Sequence, residues 1–247
     1  MATGPVVRQG FGATLRRDNW WTEIVPVVIL LGGFGVYATL RAFEGRFYSW
    51  GPYLSPFYSP LIDENHTWWP LSPALLILIF PLGFRTTCYY YRKAYYRAFF
   101  MDPPACAVGE VKRSYCGETS FPFILQNIHR YFFYAAALFI LFLGWDAVKS
   151  YFFADGFHIG VGSLVLTLNV VLLGLYTFSC HSWRHLVGGK LDCFSCAANV
   201  RHSAWQRVSF LNERHMLFAW CSLVWVGFSD FYVRLVASGA LRDFRIL

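Results

Sequence analysis

Long apolar stretches alternate with short connections rich in polar and aromatic residues along this chain, near 22–42, 71–96, 122–149, 159–184 and 211–237. At about 1.5 Å rise per residue, each is long enough to cross a hydrocarbon core of roughly 30 Å as a helix. The pattern predicts an all-α integral membrane protein: a bundle of five transmembrane helices in a single transmembrane domain over 1–247. The first stretch lacks a small-residue cleavage signal and is too long for a signal-peptide core, so it is expected to stay in the mature protein. The 43–70 connection, with Tyr53-Leu54-Ser55-Pro56-Phe57-Tyr58-Ser59-Pro60, reads as an ordered extracytoplasmic cap. Residues 97–121 and 185–210 read as cytoplasmic loops. Ser72-Pro73 starts the second helix, with proline allowed in the first turn, and Pro81 is expected to kink it. Gly188-Gly189 is a natural helix stop after the fourth.

Basic residues set the orientation. Arg8, Arg16 and Arg17, the group from Arg85 to Arg130, and Arg184, Lys190, Arg201, Arg207 and Arg214 share one side. Arg41, Arg46, Lys149, Arg234, Arg242 and Arg245 hold the other. The positive-inside rule then predicts a cytoplasmic N-terminus and an extracytoplasmic C-terminus, which needs an odd number of spans.

Composition supports this reading: 56% of the 247 residues are hydrophobic and only 14% charged, too apolar for a typical soluble domain. The net charge of +7 would suit nucleic acid, but the basic residues flank spans among tyrosines and tryptophans, an interfacial pattern. No nucleic-acid partner is expected. Six of the seven cysteines lie at or within the reducing side, so a disulfide framework is not expected. Asn65-His66-Thr67 matches a glycosylation sequon too short to weigh. Asn169 is the one strongly polar residue midway in the fourth span, and Asp146 and Asp230 lie toward outer ends. That spacing disfavours an ion pathway, which needs polar groups across the bilayer.

The candidate chemistry is sulfur and imidazole at one membrane face. Cys88, Cys106, Cys116, His129, Cys180, His181, His185, Cys193, Cys196 and His215 fall near or between helix ends that the topology brings together. Such soft and borderline ligands suggest a redox metal centre. His181 and His185, four apart, share a helical face. They can both ligate one metal, or one can ligate while the other supports it, or both can be interfacial histidines. Cys88, Cys106, Cys180, His181, His185 and His215 are the candidate metal ligands. Two Cys and two His would suit a Rieske-type [2Fe–2S] centre, and two histidines from facing helices would suit a haem b. Cys193-x-x-Cys196 alone is a weak metal motif: a structural zinc knuckle with Cys106 or Cys116 would use it, and the reading without metal is favoured.

A second group, Gln126, His129 and Arg130, sits at the first turns of a span, where amide, imidazole and guanidinium can hydrogen-bond a quinone carbonyl. A snorkelling arginine is the plainer reading of Arg130. The run Cys88-Tyr89-Tyr90-Tyr91-Arg92-Lys93-Ala94-Tyr95-Tyr96-Arg97 reads as an aromatic and basic interfacial belt. Tyr89, Tyr90, Arg92, Lys93 and Arg97 are candidates for docking a cytoplasmic partner.

On these residues the chain resembles the cytochrome b-like membrane anchor of succinate dehydrogenase, in its single-chain, five-span actinobacterial form. The resemblance covers nearly the whole chain. It is carried by Tyr53 to Tyr58, Leu71 to Arg97, His129-Arg130-Tyr131-Phe132-Phe133 and Cys180-His181-Ser182-Trp183-Arg184-His185. It implies an anchor in a bacterial cytoplasmic membrane holding a flavoprotein and an iron–sulfur subunit at the cytoplasmic face. Further implications are reduction of a quinone (menaquinone or ubiquinone) and an embedded Rieske-type cluster in place of the usual haem. A trimer of such complexes and contact with membrane lipid belong to the same expectation. The anchor would carry no complete active site for succinate. Gln126 to Arg130 is similar to the Ser-x-x-His-Arg quinone signature of two-anchor enzymes, with Gln126 where that signature has Ser. The first two helices lack histidine, so the four-histidine dihaem pattern of other five-span anchors is not met.

Overall fold

The structure, a computed structural model, describes residues 10–62, 71–111, 121, 123–189 and 199–246. The long elements are helices: α1 (Ile24–Glu44), α2 (Pro73–Thr86), α3 (Tyr89–Tyr95), α4 (His129–Lys149), α5 (Val161–Phe178), α6 (His181–Gly188), α7 (Asn199–Glu213) and α8 (His215–Ala237). A 3-10 turn, Phe123–Ile128, leads into α4, and a π turn, Tyr96–Phe100, continues α3. Two short hairpins are the described strands: β1 (Ser49–Trp50) with β2 (Tyr53–Leu54), and β3 (Phe152–Phe153) with β4 (Gly156–Phe157), both antiparallel.

Four described helices are long and apolar enough to cross a membrane: Trp20–Glu44, Ile124–Lys149, Val161–Phe178 and His215–Ala237. A fifth span is available if the bent pair Pro73–Thr86 and Tyr89–Phe100 counts as one broken crossing. The expected continuous helices over 71–96 and 159–184 are each interrupted, at Thr87-Cys88 and at Ser179-Cys180. Both cysteines are extended (ψ 131° and 147°) and N-cap a following short helix. Helix α2 runs through Pro81. The 185–210 region, expected as loop, contains most of α7. Gly188-Gly189 does end a helix, α6, with Gly189 at φ +65°, a conformation that favours glycine.

The chain divides into two compact units, Met1–Val36 with Arg85–Ile128, and Tyr37–Phe84 with His129–Leu247. In the first, the N-terminal arm pairs with the loop after α3: Gly12 N–H donates to the Gly109 carbonyl (3.0 Å) and Gly109 N–H to the Ala13 carbonyl (2.8 Å). The Arg92 guanidinium lies over the Tyr89 and Tyr96 rings, at 4.9 and 5.9 Å.

In the second unit α5 packs against α8 and α4, and α6 against α7. Tyr53, Ala147, Leu166 and Val233 form one buried cluster, Val165, Tyr232 and Val236 another. Lipid tails are as apolar as these side chains, so close approach and interhelical hydrogen bonds have to hold the helices together. Trp225 Nε1–H donates to the Val165 carbonyl (3.1 Å), and Gly162 leaves room for the Tyr53 ring that any Cβ would strike. The outer faces of α4, α5 and α8 expose Leu138, Leu141, Val171, Val224 and Phe228, as a lipid-facing surface requires.

The end of this unit that carries the hairpins is closed by ionic and phenolic groups. Asp230, fully buried, accepts from Tyr37 Oη (2.6 Å), Ser55 Oγ and Arg234 Nε (2.7 Å). Arg234 also reaches Glu44 (3.0 Å) and the carbonyls of Arg46 (2.6 Å) and Arg41 (3.3 Å). Asp243 accepts from Tyr53, Tyr232 (both 2.6 Å) and the Gly162 N–H (3.0 Å), so the C-terminal segment is tied to the start of α5. Burial and this carboxylate raise the Tyr53 phenol well above its usual range.

Candidate redox and quinone site

The opposite end of α4, α5 and α8 carries the imidazoles and a thiol. Helix α5 ends at Phe178, where side chains join the backbone in serving the carbonyls. Ser179 Oγ–H donates to the Tyr176 carbonyl (3.1 Å), and Asn212 Nδ2–H donates to the Ser179 carbonyl (2.8 Å). His215 Nδ1 lies 2.7 Å from the same Ser179 Oγ. A hydroxyl has one proton, so Ser179 donates either to the Tyr176 carbonyl or to this nitrogen, and in the first case His215 donates from Nδ1–H. The His215 ring, 1% exposed, stacks on Tyr176 at 5.0 Å.

One residue on, the buried Cys180 turns the chain. Its Sγ accepts the Ser182 N–H (3.4 Å) at the start of α6 and lies 3.1 Å from His129 Nε2. The His129 ring lies flat on Phe84, centroids 4.9 Å apart and planes within 6°. Thiol and imidazole thus meet between α4 and α6, with nitrogen and sulfur 3.1 Å apart. A further turn along α6, His181 and His185 face each other, Nε2 to Nε2 at 2.9 Å, so one donates while the other accepts. Burial, then His185 and Arg184, hold His181 below its usual imidazole range. The Arg184 guanidinium stacks on Trp205 (4.6 Å) and donates to Ser209 Oγ (2.8 Å), pinning α6 to α7.

The first unit holds the remaining described candidates except Arg130, which belongs to the second. Cys88, 2% exposed, caps α3 beside the contact of Arg85 with the Tyr91 hydroxyl. Cys106 is exposed, and its carbonyl accepts from Arg16 (3.0 Å). Gln126 spends both amide hydrogens locally, on Tyr95 Oη (2.8 Å) and the Thr86 carbonyl (3.1 Å). Since a carbonyl can only accept, the amide orientation is settled, and Oε1 is left to accept from a ligand. The expectation that Gln126 donates to a quinone carbonyl therefore changes to an acceptor role. Arg130 is exposed, as are Tyr89 and Lys93, which lie four apart along α3; Tyr90, Arg92 and Arg97 are half-buried.

Structure brings the expected ligands together as pairs. His129 meets Cys180, His181 meets His185, and His215 meets Ser179, while Cys88 and Cys106 belong to the other unit. Among the described residues no three His, Cys, Asp or Glu side chains form a group able to hold a metal ion. Cys116, Cys193 and Cys196 lie outside the described residues, as does the sequon at Asn65. The donor types suit a Rieske-type centre, yet the described geometry does not assemble its two-Cys, two-His set. Sequence reasoning missed Ser179 and Tyr95, whose roles depend on partners 36 and 31 positions away.

Apolar helices long enough to span, an ion-paired polar cap and an imidazole–thiol end describe a multi-pass membrane protein. The chain belongs to the actinobacterial succinate dehydrogenase subunit SdhC family, whose model matches residues 22–239. It is also similar to a chain of the Mycobacterium smegmatis Sdh1 complex in the apo form, with 48% sequence identity and a TM-score of 0.87. That likeness covers 95% of this chain and 94% of the other. No curated protein matches the chain.

Proposed function

We propose that this chain is the membrane anchor and quinone-reducing subunit of a bacterial succinate dehydrogenase, respiratory complex II. It crosses the cytoplasmic membrane five times, with the N-terminus inside, and seats the iron–sulfur and flavoprotein subunits at the cytoplasmic face on Tyr89, Tyr90, Arg92, Lys93 and Arg97. Electrons arrive from the iron–sulfur subunit and reduce a quinone at Gln126, His129 and Arg130, with Arg130 donating to the quinone carbonyl and Gln126 serving the quinol hydroxyl that forms. The observation that carries this reading is family membership over 22–239, joined to the Gln126 amide locked with only its acceptor oxygen to offer.

The chemistry divides naturally among the three. Arg130 is a permanent cation and donor, suited to the oxygen on which charge builds as the quinone is reduced. His129 is a nitrogen base already in contact with a thiol, able to hold or pass a proton at Nε2. Gln126 Oε1 accepts from a quinol hydroxyl, so it favours the reduced product over the quinone. A Rieske-type [2Fe–2S] centre would supply one-electron transfer when bound, and Cys180, His181 and His185 are donor types that would suit it. No step here depends on it.

Gln126→Leu in the intact complex tests the quinone assignment. Succinate oxidation with quinone as acceptor is expected to fall about tenfold, the equivalent of one lost hydrogen bond, while oxidation with a soluble dye is retained. Equal rates with both acceptors in variant and parent would reject the assignment.

A further inference from the structure

Positions 162, 169 and 176 of α5 and 215, 222 and 229 of α8 are each seven residues apart, and all six are buried. Two contacts fix their pairing in the antiparallel helices: Tyr176 stacks on His215 at 5.0 Å, and Trp225 Nε1 bonds the Val165 carbonyl at 3.1 Å. That register sets Asn169 level with Ser222, and Gly162 with Ser229. Successive levels are about 10.5 Å apart at the helical rise, so the Asn169 level lies near mid-membrane. Asn169 therefore does not stand alone in its span. It shares a seam with serines that are 0% exposed.

Asn169 is 1% exposed, and neither its Nδ2 nor its Oδ1 has a hydrogen-bond partner among the described residues. The usual escape, donation back to the carbonyl four residues earlier, is closed. That carbonyl, on Val165, already takes the Trp225 indole as well as the helical N–H. No lipid or bulk solvent reaches the amide. Buried amides in native proteins are hydrogen-bonded, and in a bilayer an unpaired one is especially costly. Ser222 Oγ–H donates to the Ala219 carbonyl (3.1 Å), and a hydroxyl oxygen that donates can still accept.

We propose that Asn169 holds an internal water site on the α5–α8 seam, with Ser222 as its companion at the same level. The ligand is ordered water, a small molecule that can both donate to Oδ1 and accept from Nδ2. The site lies one level from the His215–Tyr176 pair on one side and one level from Ser229 and Asp230 on the other.

A density map of the whole complex, at a resolution that shows ordered water within the spans, decides this. The expected result is a peak about 2.7–3.2 Å from an Asn169 amide atom, absent from the same map of Asn169→Leu. A map with waters elsewhere in the spans but none at Asn169 would overturn the site, and so would a peak that persists in Asn169→Leu. If Asn169→Leu does not assemble, the parent map alone is decisive.

Discussion

The two ends of the α4, α5 and α8 group use polar chemistry in opposite ways. At the hairpin end, Asp230, Arg234, Glu44 and Asp243 are full charges whose hydrogen-bonding capacity is met by tyrosines, a serine and backbone groups. At the other end, His129, Cys180, His181, His185 and His215 are weak acids and bases that meet two at a time. Saturated ion pairs fix a shape, whereas groups that can gain or lose a proton, or accept a metal or quinone, remain chemically adjustable. One end is a clamp and the other is where chemistry can occur.

The contrast breaks most visibly at Asp230. Replacing it with Ala leaves Arg234 buried opposite a missing carboxylate, and such a loss is expected to destabilise the fold by about 3–5 kcal/mol. The thermal midpoint of the purified complex reads this directly. Replacing Asp230 and Arg234 together by leucine is expected to recover a large part, because no charge is then stranded.

Ser179→Ala acts at the other end with a smaller effect, about 1 kcal/mol for one neutral hydrogen bond. Its informative readout is the ratio of quinone-dependent to dye-dependent oxidation, which should fall as His215 loses the hydroxyl that holds its ring. An unchanged ratio would make Ser179 a packing residue only.

Smaller again is an acid-side effect from His181, in α6 beyond the end of its span. The folded chain holds this imidazole below its unfolded value of about 6.5. The unfolded chain therefore binds the proton more readily, and stability is lost as pH falls below that value toward the folded pKa. His181→Gln is expected to flatten the drop in thermal midpoint between neutral and mildly acidic pH. A drop as steep as the parent's would remove His181 from the explanation.

The smallest effect belongs to Asp155, an exposed carboxylate that accepts from Arg245 (2.7 Å) and is held below its usual range by it. Its contribution is present above the unfolded value of about 4 and fades as pH falls through the lower folded one. Asp155→Asn should leave the midpoint at neutral pH almost unchanged, since solvent screens this pair. A loss there comparable to that of Asp230→Ala would mean that the hairpin end depends on its rim as much as on its buried pair.

How much of this the sequence disclosed follows from the range of each interaction. Span positions come from runs of neighbouring apolar residues, and those runs are visible directly. The breaks at Cys88 and Cys180 are not, because neither carries the proline or glycine that marks an interruption. They depend on Cys180 accepting the Ser182 N–H at the start of α6, and on Tyr95 and Gln126 both donating to the Thr86 carbonyl at the end of α2. The pair Asp230 and Arg234 shows an i, i+4 spacing, but its link to Glu44 crosses 190 positions. At Gln126 the residue type suggested a donor, and only the positions of Tyr95 and Thr86 reveal that its hydrogens are already used.

The most direct measurement compares quinone-dependent with dye-dependent succinate oxidation in one purified complex, carrying either Cys180→Ala or Tyr53→Phe. If Cys180 positions the His129 imidazole that serves the quinone, Cys180→Ala lowers that ratio about tenfold or more, and Tyr53→Phe leaves it unchanged. A normal ratio in Cys180→Ala, or an equal loss in Tyr53→Phe, would contradict the division of labour between the two ends.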